Sequence, residues 1–133
     1  MSLVRLVARK NVIYKAFAQE SMPLINVRTS ISSIEKPELL LQELSRELAD
    51  ITGKPEKYVM ALLETDVPMV FSGSNEPCCY IEIKSIGAIN PSEMSAAFCR
   101  MVSSKTEIPS SRIYIRFEDI PAKYWGWDGR TFG

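Results

Sequence analysis

The stretches Thr52-Gly-Lys-Pro-Glu-Lys-Tyr-Val59 and Thr106-Glu-Ile-Pro-Ser-Ser-Arg-Ile113 share one spacing: threonine, two residues, proline, three residues, then a β-branched residue. Each follows a helical pattern and leads into a β-rich one. Before the first, Leu41, Leu44, Leu48 and Ile51 recur at spacings of three, four and three, which predicts an amphipathic helix over Glu38–Ile51. Pro37 sits in its first turn and Gly53 just past its end, the usual helix punctuation. Before the second, Met94, Ala97, Phe98, Met101 and Val102 predict another helix, reached through Asn90-Pro91. Working outward, Pro23–Arg28 and Tyr58–Glu64 read as strands around the first helix, and Cys78–Ile86 and Arg112–Phe117 as strands around the second. Met69–Pro77, with a Ser-Gly-Ser-Asn core, is loop, and an aromatic tail ends the chain. The expected fold is α/β (α+β): a duplicated βαβ unit, with a four-stranded mixed sheet and two helices on one face. Both crossovers should be right-handed. No further helix remains for the other sheet face, so oligomerisation is its natural cover.

Composition narrows the chemistry. The 133 residues are the length of a single domain. Lys plus Arg and Asp plus Glu both number 16, so no net field draws the chain to nucleic acid or to a membrane surface. No apolar run is long enough to span a bilayer. Histidine is absent, which removes the commonest general base and the commonest metal ligand together. An enzyme built from this chain must use a carboxylate, a thiol, a lysine or an amino terminus. Cys78, Cys79 and Cys99 are odd in number and two are adjacent. That is no secreted disulfide framework, so a reducing compartment is expected and the cysteines read as packing residues.

Residues 1–21 differ from the rest. Arg5, Arg9, Lys10 and Lys15 are basic and Glu20 is the only acid. Arg9-Lys10 interrupts the apolar centre that a secretory signal needs. A mis-called start and an organellar targeting segment both fit, and the former is favoured because Met22-Pro23 opens directly onto a strand. Residues 22–133 then form the domain, with a cytoplasmic location expected. An organelle is the alternative if residues 1–21 are a targeting segment.

Several motifs carry a resemblance: Met22-Pro23, Thr52-Gly-Lys-Pro, Phe71-Ser-Gly-Ser-Asn-Glu-Pro-Cys, Ser85-Ile-Gly, Arg112-Ile-Tyr-Ile and Gly126-Trp-Asp-Gly-Arg-Thr-Phe. From Met22 to Gly133, with a short deletion around Asn90–Ser95, the chain resembles macrophage migration inhibitory factor and D-dopachrome tautomerase, a family of the tautomerase superfamily. The resemblance implies a homotrimer with sites between subunits and no cofactor or metal. It implies a keto–enol tautomerase acting on phenylpyruvate- or dopachrome-type α-keto acids, with Pro23 as an amino-terminal general base. A cytokine-like or non-catalytic ligand-binding trimer is the alternative, and the resemblance also implies secretion without a signal peptide as an alternative location.

A free α-amino group starts near pKa ~8, and burial or nearby cations lower that value, so a neutral secondary amine is a competent base near neutral pH. The resemblance assigns Lys54 to the substrate carboxylate, the Ile86 backbone N–H to the substrate, and Tyr58, Tyr114, Trp127 and Phe132 to an aromatic pocket. Arg116 stands where animal relatives carry asparagine. It either clasps a carboxylate, lowers the proline pKa or points to solvent. Trp125 replaces a smaller aliphatic residue. Cys78 lacks its Cys-x-x-Cys partner because Ile81 holds that position, so thiol-oxidoreductase chemistry is unsupported.

Overall fold

A computed structural model describes residues 22–133; the two expectations for residues 1–21 lie outside the described residues. In chain order the elements are β1 (Leu24–Thr29), α1 (Pro37–Thr52), β2 (Met60–Glu64), β3 (Cys79–Ser85), α2 (Pro91–Thr106), β4 (Ile113–Asp119), β5 (Gly126–Trp127) and β6 (Arg130–Thr131). The main sheet runs β2-β1-β3-β4. β1 pairs parallel with β2, β3 parallel with β4, and the central pair β1 and β3 is antiparallel. Each half is a βαβ unit, and the halves join through the antiparallel centre.

The shared spacing of the two quoted stretches has a shared cause. Thr52 Oγ1 donates to the Leu48 carbonyl at 2.6 Å, and Thr106 Oγ1 to the Val102 carbonyl at 2.7 Å. Each helix then ends on a left-handed residue, Gly53 at φ 69 and Glu107 at φ 64. Pro55 and Pro109 follow in extended conformation, and each starts one turn of 3₁₀ helix, Glu56–Tyr58 and Ser110–Arg112. Those turns explain why β2 begins at Met60, later than expected from Tyr58. At the other end of α2, the Asn90 side chain accepts from the Glu93 N–H while its amide reaches the Glu93 carboxylate at 3.0 Å.

The core lies between the sheet and the helices. Ile25, Val27, Ile81 and Ile83 meet Leu40, Leu44, Leu48, Met94, Phe98 and Val102, all essentially without solvent contact. Burying each such side chain contributes roughly 1.5–3 kcal/mol before conformational entropy is counted. The buried stripe of α1 is Leu40, Leu44, Leu48 and Ala49. Leu41, expected in the stripe, sits half-buried on its flank. Among the described residues, the buried members of the cluster run from Ile25 to Ile113. Cys78 and Cys79 are buried and Cys99 is half-buried, all three as free thiols. Cys79 belongs to the core and Cys78 packs against Met69 and Ser30, which bears out their reading as packing residues.

Among the described residues, no helix lies on the second sheet face. Across it run the rows Met60–Leu24–Lys84–Glu118, Leu62–Asn26–Glu82–Arg116 and Glu64–Arg28–Tyr80–Tyr114. Met60 is 56% exposed and Tyr114 66%. In the middle row, Asn26 Oδ1 is out of solvent with no hydrogen-bond partner among the described residues.

Candidate functional site

Pairing of Leu24 with Lys84 sets Pro23 level with Ser85 at one end of the sheet. The Pro23 carbonyl accepts from the Met60 N–H at 3.1 Å, so the starts of β1 and β2 and the end of β3 converge there. Tyr58 reaches this end from the 3₁₀ turn before β2, Lys54 from the close of α1, and Ile86 by following β3. Pro23 is buried, and Lys54 is only 9% exposed, a rare condition for a lysine.

The tail supplies an aromatic wall. Trp127 meets Tyr58 edge-to-face, with centroids 5.9 Å apart, and stacks on Phe132 at 6.2 Å. What holds these rings is a hairpin of β5 and β6, turned through Asp128 (φ 52) and Gly129 (φ 78). Asp-Gly favours this tight turn, because both positions need a left-handed backbone. That dipeptide was the signal for a hairpin where the sequence reading placed only an aromatic tail. The half-buried Trp125 serves this hairpin directly: its carbonyl accepts from the Phe132 N–H at 3.1 Å.

The orientation of the Ile86 N–H follows from its peptide group. The Ser85 carbonyl accepts from the Ile120 N–H at 2.8 Å and so points toward the β4 side. In a trans peptide the N–H is opposed to the carbonyl. The Ile86 N–H therefore points toward the β1 side, where Pro23 lies.

Two predicted site residues lie elsewhere in the chain. Tyr114 shares a row with Tyr80 and Arg28, and Arg28 is five residues along β1 from Pro23, roughly 16 Å at strand spacing. Arg116 shares a row with Glu82 and Asn26. Tyr114 is therefore remote from the Pro23 end along the sheet, and Arg116 lies two strands across from β1. Tyr114 instead meets the Phe71 ring edge-to-face at 4.8 Å. Arg116 is largely exposed, 3.8 Å from Glu118. Its surroundings are acidic: the Lys84 ammonium at 3.0 Å, aided by the Tyr80 hydroxyl, holds the Glu82 carboxyl below its usual range. Burial, reinforced by Glu82, pushes the Tyr80 hydroxyl up.

Together, the duplicated βαβ sheet and the proline at its aromatic-walled end define the class, a small protein of tautomerase fold. Residues 22–133 match the family described as macrophage migration inhibitory factor (MIF). Macrophage migration inhibitory factor of Mus musculus is 37% identical over 114 residues, covering 84% of this chain and 99% of the mouse protein. The crystal structure of a homologue from Prochlorococcus marinus superposes with a TM-score of 0.80 at 52% identity, covering 83% of this chain and 99% of that one. The factor from Trichinella spiralis superposes at 0.76 with 32% identity, covering 81% and 98%. The chain belongs to the macrophage migration inhibitory factor family.

Proposed function

We propose that this protein is a keto–enol tautomerase whose base is Pro23 as the amino-terminal residue, acting on small aromatic α-keto acids of phenylpyruvate or dopachrome type. One observation carries the reading: Pro23, the buried Lys54, the aimed Ile86 N–H and the rings of Tyr58, Trp127 and Phe132 converge on one end of the sheet. In the keto-to-enol direction, the neutral Pro23 nitrogen takes a proton from the carbon beside the carbonyl. The C–H electron pair becomes the C=C bond, the C=O π pair moves onto oxygen, and that oxygen takes a proton from solvent while Pro23 later releases its own to solvent. Lys54 and the Ile86 N–H hold the substrate carboxylate, and the aromatic wall receives its ring.

While Met22 is attached, the proline nitrogen is an amide without basicity. The working form therefore begins at Pro23, with residues 1–21 preceding the catalytic domain as a separate segment. The uncovered sheet face supports a homotrimer in which a neighbouring copy brings Tyr114 and Arg116 to the site. The free thiols support a reducing compartment such as the cytoplasm.

The test is tautomerisation of enol phenylpyruvate by the protein starting at Pro23. A Pro23→Gly variant should lose at least ~100-fold in kcat/KM; normal activity in that variant would sink the proposal. A second reading, a cytokine-like signalling protein, draws on the name carried by the mouse relative. It predicts that receptor-dependent activity survives in the catalytically dead variant.

A further inference from the structure

Both peptide groups that flank Ile86 are pinned by the end of β4. On one side the Ser85 carbonyl accepts from the Ile120 N–H at 2.8 Å. On the other, the Gly87 N–H donates to the Asp119 carboxylate, also at 2.8 Å. Gly87 (φ 72) and Ala88 (φ 58) are both left-handed, so the chain turns sharply here and its peptide planes depend on these two anchors. Ser85 pairs with Asp119, so the carboxylate arrives through the register of β3 against β4.

We infer that Asp119 is a positioning residue for substrate binding: its carboxylate fixes the Ile86–Gly87 peptide and thereby aims the Ile86 N–H at the Pro23 side. This rests on the tautomerase reading above. Asp119 touches no reacting atom. Its effect passes through the main chain of Ile86, a donor that no substitution at position 86 other than proline removes. A donor fixed in place before the substrate arrives strengthens binding, because no ordering is left to do on contact. Asparagine offers the same acceptor oxygen without the charge, so Asp119→Asn separates the hydrogen bond from the field of the carboxylate.

The experiment compares the protein starting at Pro23 with its Asp119→Ala and Asp119→Asn variants, using enol phenylpyruvate and amide exchange at Gly87. In Asp119→Ala, KM should rise about 3- to 10-fold, the size of one lost hydrogen bond, with kcat within about twofold. Exchange at Gly87 should quicken in the same variant, and Asp119→Asn should restore both readouts. An active parent whose Asp119→Ala variant keeps its KM overturns the inference alone. So does a fall confined to kcat, or an Asp119→Asn variant as impaired as Asp119→Ala. An inactive parent overturns the tautomerase reading and takes this inference with it.

Discussion

At the scale of single residues, Cys79 shows how far the core governs an ionisable group. Burial pushes its thiol up to about 12, with Cys78 and Cys99 adding to the effect. An unfolded cysteine titrates near ~8.5, so between that pH and about 12 the unfolded chain gives up a proton that the folded one keeps. Stability therefore declines as pH rises through this window, by about 2 kcal/mol at pH 10 from this group. Urea unfolding from pH 7 to 10 should show a shallower decline in Cys79→Ala than in the parent, and the folded parent should resist thiol alkylation at pH 8. The packing role of these cysteines was legible from their odd number and adjacency. Lys54 and Ile86 were legible only through the resemblance. On residue type alone, one is a helix-end cation and the other a strand-end apolar residue. Asp119 was not legible at all, because an aspartate at a strand end carries no local sign of a main-chain donor in the turn that follows another strand.

At the scale of elements, the repeated Thr-x-x-Pro spacing was the most informative signal, since it encodes a helix stop, a turn and a strand start in eight residues. Its two copies are not equally good. Glu107 takes a left-handed conformation that costs a side-chain-bearing residue about 1 kcal/mol, and its charge sits at the negative end of a helix. Glu107→Gly should stabilise the protein by about 0.5–1 kcal/mol in urea unfolding, whereas Gly53→Ala should destabilise it by a similar amount. The loop before β3 has a different anchor. Arg112 donates to the carbonyls of Pro77, Phe71, Ser74 and Glu76 at 2.9–3.3 Å and lies over the Phe71 ring. Arg112→Lys keeps the charge but loses the planar fork, so hydrogen exchange across residues 71–77 should accelerate in it nearly as much as in Arg112→Ala. This anchor escaped the sequence reading because an arginine satisfied by carbonyls looks like any surface arginine. The shift from Leu41 to Leu40 in the buried stripe has a simpler origin. Both leucines fit a helical period, and only packing against the sheet chooses between them.

For the whole molecule, the decisive feature is the sheet face that no helix among the described residues covers. Its existence followed from counting two helices against one sheet, and its rows of Met60, Leu62, Tyr114 and paired charges define a surface suited to further copies of the chain. Tyr114 lies in the row of Arg28, five residues along from Pro23, and Arg116 lies two strands away from β1, so the proposed site takes both from a neighbouring subunit. Sedimentation of the protein starting at Pro23 should show a trimer, and a monomer at micromolar concentration would remove those two residues from the site. The central claim concerns the proline nitrogen, an amine in one form of the chain and an amide in the other. Its most direct test is the rate of enol phenylpyruvate tautomerisation by two proteins that differ only in whether Met22 precedes Pro23. The account predicts a loss of at least ~100-fold when Met22 is retained; equal rates in the two proteins would contradict it.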